Sequence, residues 1–511
     1  MVSRSDPEIA ERPREVPFPD AAPTGGLPIA VRFLRTRWRR VTSISALVLV
    51  PCFWHREIEA ADLGSHLYNA WLVQLIHRGQ VHGLWIDHRW NNILFDYLLS
   101  GFGTLFGLHA AEKIAVALAV LIFFWGTFAL VCAAARRAPW HVVPLIAMSA
   151  YGWTFHIGLF NYYLALGLAF FGLAILWRGT GREGLIALAL APLIFLAHPL
   201  GLFWLVGAGL YVILAERVPR LYHVALLLVG AAALFGIHEY LWAHYVVEAR
   251  PENFYFFNGA DQFVLFGDRY RIVEYAFLLF VAGALVWDVF RRWRRREHRV
   301  WGDYAIPFEL YLLAFAAVLL LPHGAHVPGH IGAVALLTDR LTSVSLVLLL
   351  CLLGAMRPQG WHLAVAAVLA VLFFAFVYQD TGRINRMERE VARLVRTLPP
   401  NQRVMGTILP PPEWRVSMQH ILDRACIGYC YSYGNYEPGS KMFRVRADSG
   451  NRYVLSNYDL AVEMEDGYYT AQPEDLPVYQ VYQCDVSGTK LCVHPLKAGE
   501  ENDDLGVHPD D

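Results

Sequence analysis

Apolar residues along this chain come in long runs separated by short polar connections. The runs near 42–54, 112–135, 141–157, 160–177, 184–198, 199–215, 223–246, 273–290, 304–322, 341–356 and 361–378 approach the roughly 20 residues a helix needs to cross a bilayer. The pattern predicts an α-helical multi-pass membrane protein with about 11 spans in a domain over 42–379. A further run, "ILFDYLLSGFGTLFG" at 93–107, is short and carries Asp96, and it predicts a juxtamembrane or re-entrant helix. Beyond 379 the pattern changes. Residues 384–398, "INRMEREVARLVRTL", read as an amphipathic helix, and runs such as "RYVLS" and "PVYQVYQC" alternate with Gly, Pro and Asn breakers, which predicts a small α+β domain over 380–497. Residues 1–41 and 498–511 read as disordered tails, the first of them basic.

Composition fits this picture: 56% of the 511 residues are hydrophobic and 17% charged. The formal net charge of -1 gives no reason to expect nucleic acid, and no cofactor motif stands out. Arginine is distributed unevenly. "RFLRTRWRR" at 32–40 precedes the first run, and the positive-inside rule places the N-terminus in the cytoplasm. With eleven spans, "RGTGRE", "ERVPR", "RRWRRREHR" and "MRPQG" all fall on the cytoplasmic side. The first loop, 57–111, and the C-terminal domain then face outward, in a plasma (inner) membrane. Cys52, Cys132 and Cys351 lie in apolar runs, whereas Cys426, Cys430, Cys484 and Cys492 lie in the outer domain. Four cysteines in an oxidising compartment suggest two disulfides. Local pairing, 426 with 430 and 484 with 492, is preferred over two other pairings and over a zinc site.

Polar and ionisable residues collect on the outer side: Asp62 and His66, His156 and Asn161, His198, then His238, Glu239 and His244, Glu248, Arg250, Glu252, Asp261, Asp268 and Arg269, His323, His326 and His330, and Asp339 and Arg340. Such groups are expensive at a membrane edge and mark a polar cavity. Asp62 has two readings, a general base or the N-cap of the helix through "SHLYNAWLVQLIHRG". Arg340 is either a local ion-pair or snorkelling residue or a phosphate-gripping guanidinium. The tract "PHGAHVPGH" carries Pro and Gly where a helical metal site would need continuity, so no metal is expected.

"ADLGSHLYNAWLVQLIHRGQ" and "RWNNILFDYLLSGFGTLFGLHAAEKIAVAL", with the architecture above, resemble the GT-C superfamily of polyprenyl-phosphate-sugar-dependent glycosyltransferases, which includes protein O-mannosyltransferases and the lipid A aminoarabinose transferase. Many members carry two adjacent acids in the first loop. Here Ala60 and Ala61 precede Asp62, and "HRWNN" stands where a Lys-Pro-Pro stretch is usual. The resemblance implies transfer of a sugar from a polyprenyl-phosphate donor to an outer-face acceptor, with membrane lipids as surroundings. Asp62 would be the base and His66 would orient it or bind acceptor. Arg340 and Arg269 would hold the phosphate, and His198 and Asn161 would line the substrate cavity. A transporter or flippase for a lipid-linked or polar substrate, and an assembly protein binding partners through its outer domain, are the other functions compatible with these features.

Overall fold

The computed structural model describes residues 27–177, 179, 181–249, 255–296, 302, 304–328, 334–440, 442–448, 450–485, 488 and 490–502; Arg250, Glu252 and His330 lie outside them. Helix α1 (Leu27–Val48) starts inside the stretch expected to be a disordered tail and bends at Arg37. It stops before Pro51, which has no N–H to continue the ladder. Helix α2 (Leu63–His77), strand β1 (Leu84–Ile86) and helix α3 (Leu94–Phe106) follow. At 13 residues, α3 is about 20 Å long and too short to cross a bilayer unaided. Gly107, at φ +82, then turns the chain into α4 (Leu108–Ala135).

The run at 141–157 is broken rather than continuous. Helix α5 (Val143–Ala150) ends at Tyr151, and α6 (Trp153–His156) is a single turn. Gly152 between them is extended, and the freed N–H of Thr154 donates instead to Gln262 Oε1 at 3.0 Å. The chain continues through α7 (Phe160–Leu176), α8 (Gly181–Ala197), α9 (Pro199–Ala215), α10 (His223–His244), β2 (Val246–Glu248), α11 (Arg271–Arg294), α12 (Ala305–Leu320), β3 (Gly324–His326), α13 (Leu337–Ala355) and α14 (Gly360–Val395). Five of these helices, α4, α10, α11, α13 and α14, are long and apolar enough to cross a membrane; α7, α8, α9 and α12 are apolar but shorter.

Helices α4 and α7 approach closely because Gly126 and Gly167 meet. A Cβ at Gly126 would lie 2.2 Å from the Gly167 carbonyl oxygen, the small-residue contact that membrane helices favour. Helix α10 instead lies at the edge with Val224, Leu228, Val229 and Phe235 exposed, an apolar surface suited to lipid. One end of the helical layer gathers arginines: Arg136 pairs with Glu216 at 3.8 Å, and Arg137 donates to the Gly354 carbonyl at 2.8 Å.

The opposite end carries the first loop and the C-terminal region. There β4 (Arg403–Thr407), α15 (Ile421–Cys426), β5 (Tyr431–Ser432), β6 (Val445–Ala447), α16 (Tyr458–Asp466), β7 (Val478–Gln483) and β8 (Leu491–Pro495) follow α14. The sheet has the order β5-β4-β7-β8, with β4 parallel to both neighbours and β7 antiparallel to β8. "PVYQVYQC" supplies β7, but "RYVLS" forms no strand, because the Asn451 side chain takes the N–H groups of Tyr453 and Val454. Helix α14 runs unbroken across position 379, so the amphipathic segment at 384 extends an apolar helix. Of the stretch expected to be a disordered tail, residues 498–502 are described; Asn502 is buried, and its amide donates to the Met464 carbonyl at 2.7 Å. Cys426 is joined to Cys430 and Cys484 to Cys492. The C-terminal region clamps the first loop. Strand β1 pairs with β6, Leu84 opposite Ala447, and α15 packs on α2 and α14.

Candidate functional site

Asp62 stands where the chain enters α2, against Gly158. A Cβ on that glycine, at φ +87, would lie 2.6 Å from the Asp62 nitrogen, so the glycine lets the 156–158 turn press against the loop. The Ala61 N–H donates to the His156 carbonyl at 2.7 Å and the Asp62 N–H to the Ile157 carbonyl at 3.3 Å. Asp62 occupies the N-cap position, yet its backbone is already helical and its carboxylate accepts no helix N–H. Capping is therefore not what the side chain does. Its charged neighbour is His420, whose Nε2 lies 3.7 Å from Asp62 Oδ1.

His420 reaches this point because α2 presses on its backbone: a Cβ at Gly64 would come within 2.1 Å of the His420 carbonyl oxygen. Its Nδ1 donates to Asp423 Oδ2 at 3.0 Å, and Glu465 Oε1 is 3.6 Å away. Burial works against the imidazolium, but Glu465, Asp423 and Asp62 outweigh it and lift the His420 pKa to about 10. Burial pushes Glu465 up to about 8, with His420 acting in the opposite direction.

One turn along α2, His66 Nδ1 donates to Asp96 Oδ1 at 2.8 Å. Asn161 fixes the other oxygen, its amide donating to Asp96 Oδ2 at 2.8 Å while its own oxygen accepts from the Phe95 N–H. Burial lowers the His66 pKa, but Asp96 more than offsets it, and the value rises to about 9. His66 is thus held as an imidazolium, a poor proton acceptor at neutral pH. The Ser65 hydroxyl donates to Glu437 Oε1 at 2.8 Å, and burial raises Glu437 to about 7.

Arg340, at the start of α13, lies with its guanidinium 5.7 Å from the centre of the Tyr162 ring and within electrostatic reach of Asp62. Its Nε is buried without a hydrogen-bond partner among the described residues. Asp339 does not pair with it, being bound instead by Arg415 and His323, each at 3.2 Å. His198 packs its ring 5.4 Å from Tyr162 and caps α9 by accepting from the Leu200 N–H. Asp62, His66, Asn161, His198 and Arg340 thus share one region.

Arg269 has partners of its own: its guanidinium is committed to Asp380, with Gln379 at 3.2 Å, and Tyr270 donates to the same carboxylate. Among the described residues, His156 binds the Glu59 carbonyl, and His326 pairs with Glu248. His323 and His326 are split between different acids, so the tract at 322–330 brings no such cluster together among the described residues. Ligand atoms of Glu57, His109 and Glu112 do lie within 4.8 Å of one another. Arg56 at 3.1 Å from Glu57 and Arg424 at 3.6 Å from Glu112 already supply the countercharge a cation would bring there.

His420, Asp423, Glu437 and Glu465 were not legible as site residues from sequence. They follow Asp62 by more than 350 positions, and no local spacing relates them to it. Against known protein families, curated proteins and solved structures, the chain finds no match.

Proposed function

We propose that this protein is an integral membrane glycosyltransferase of the GT-C type, with eleven helical crossings, a cytoplasmic N-terminus in a plasma membrane and its active site at the outer face. It moves a sugar from a polyprenyl-phosphate donor to an acceptor there. The observation that carries the reading is the Asp62 carboxylate, which no helix N–H uses, with His420 3.7 Å away and Arg340, whose Nε has no hydrogen-bond partner among the described residues, within electrostatic reach.

In this reading the acceptor oxygen attacks the anomeric carbon while Asp62 takes its proton, and the bond from that carbon to the phosphate oxygen breaks. Negative charge then grows on the departing phosphate. Arg340 receives it, since a guanidinium offers directed donors to phosphate oxygens. His420, held charged by Asp423 and Glu465, fixes the Asp62 carboxylate in place. His66, committed to Asp96, positions α2 and presents a cation rather than a base.

The experiment is transfer from a polyprenyl-phosphate sugar by the reconstituted protein, comparing wild type with Asp62→Asn. Asparagine keeps size and removes basicity, so the rate should fall by about two to four orders of magnitude. Stability should fall by about 1 kcal/mol, since no cap bond is lost but the contact with the buried His420 is weakened. Transfer within a few-fold of wild type would remove Asp62 from the role of base. Arg340→Ala should weaken retention of the lipid phosphate, read by native mass spectrometry.

A further inference from the structure

A cleft of about 660 Å³ opens between the C-terminal half of α2 and the β5 edge of the four-stranded sheet, within the roughly 300–1,000 Å³ usual for a ligand site. It is separate from the Asp62 site. Trp71, which lines it, stands about two and a half turns along α2 from Asp62 and so on the opposite face of that helix. One wall is aromatic: the Trp71 and Tyr431 rings, each half-buried, lie 6.0 Å apart at 31°, and Tyr453 packs 4.7 Å from Tyr431. The buried Tyr68 holds this wall in place. Its ring lies 5.4 Å from that of Trp71, and its hydroxyl accepts from the Ser432 N–H at 2.9 Å, which ties β5 to α2. The rings are therefore set before any ligand arrives, and no ordering cost falls on binding.

The rest of the lining is polar and of one sign. Gln80, Asn401 and Gln402 bring side-chain amides to it, each a donor and an acceptor. Arg403 and Arg452 also line it, and no Asp or Glu does among the described residues. Arg403 is taken up by the carbonyls of Glu474 and Leu476. Arg452 is exposed, lies 5.6 Å from the centre of its own neighbour's ring, Tyr453, and makes no ion pair among the described residues.

Each feature narrows the guest. Aromatic faces are electron-rich and attract the C–H groups on the flat side of a sugar ring, and amides match hydroxyls, which likewise donate and accept. A lipid tail would leave the amides and arginines unmatched. A peptide strand adding to the sheet would need a longer edge than the two residues of β5. The unpaired Arg452 calls for an acid on the guest. We infer that this cleft binds an acidic oligosaccharide, a sugar ring stacked on Trp71 and Tyr431 and a carboxylate at Arg452. The inference does not rest on the transfer reaction at Asp62.

The test uses the full chain in nanodiscs of phosphatidylcholine, which avoid sugar-based detergents. Immobilised oligomers of galacturonan, alginate and hyaluronan are probed beside neutral oligomers of maltose and cellulose and beside peptides. Wild type should be retained on at least one acidic oligomer, and Trp71→Ala should weaken that binding about tenfold or more, as for an aromatic anchor. Arg452→Gln should weaken it about three- to tenfold, and Asp62→Asn should leave it unchanged. No retention on any acidic oligomer, retention on peptides alone, or equal affinity in Trp71→Ala overturns the site. Binding lost in Asp62→Asn but kept in Trp71→Ala would put the saccharide at the transfer site, so that the cleft inference falls alone. Should Trp71→Ala fail to fold, Arg452→Gln, at an exposed position, decides, and unchanged affinity there overturns the site equally.

Discussion

Two imidazoles at the candidate site hold protons they would release in water at neutral pH, and this ties folding to pH. His66 has its pKa raised to about 9 and His420 to about 10, against about 6.5 in the unfolded chain. Between those limits the folded protein binds more protons than the unfolded one, so stability is fully present below about pH 6.5 and falls as pH rises. Glu437 and Glu465, raised to about 7 and about 8, act in the same sense, since the unfolded chain gives up their protons near pH 4.5. The thermal midpoint of the purified protein should therefore fall between pH 6.5 and 9. Asp96→Asn removes the partner that sustains the His66 charge, so it should flatten the fall in that window. A midpoint that holds steady or climbs with pH would show that these imidazoles are not charged in the folded state.

At the scale of elements, the site depends on how tightly α2 lies against the segment before α15. Gly64 sets that distance, because any Cβ there meets the His420 backbone and backbone cannot swing aside as a side chain can. Gly64→Ala should destabilise the protein by about 1–3 kcal/mol, the usual cost of overpacking, and should displace His420 from Asp62. Thermal unfolding reads the first effect and transfer rate the second. An alanine variant as stable and as active as wild type would mean that the contact is looser than described. The same contact explains what could be read from sequence. Runs of apolar residues predicted helices α7 to α13 within a few positions, since length and hydropathy are local properties, whereas α14 runs on through the break expected after 378 to Val395. The break at Gly152 was hidden, because the group replacing the helical hydrogen bond, Gln262, comes from a distant loop. Asp62, His66, Asn161, His198 and Arg340 stood out as ionisable or polar residues beside apolar runs, where such residues are costly. Arg269 stood out by the same signal, but its partner Asp380 on α14 lies over a hundred residues away. His420 gave no signal, since histidine is unexceptional in a polar domain.

For the whole molecule, the two ends of the helical layer differ in kind. One collects arginines at the ends of α4, α11 and α13, and the other carries the first loop, α15 and the four-stranded sheet. The positive-inside rule predicts that the arginine end faces the cytoplasm. Single cysteines separate the possibilities because both reporter positions are exposed: Arg295 just after α11, and Asp459 in α16. The native free thiols offer little background, since Cys52 and Cys351 are buried and Cys132 is partly so, while the remaining four are in disulfides. In intact cells a membrane-impermeant thiol reagent should label Asp459→Cys and spare Arg295→Cys, and both should react once the membrane is permeabilised. The opposite labelling would put Asp62, Arg340 and the Trp71 cleft on the cytoplasmic side. It would also place the four disulfide cysteines in a reducing compartment, where disulfides rarely persist, so the orientation of the arginine end and the state of Cys426 and Cys484 stand or fall together.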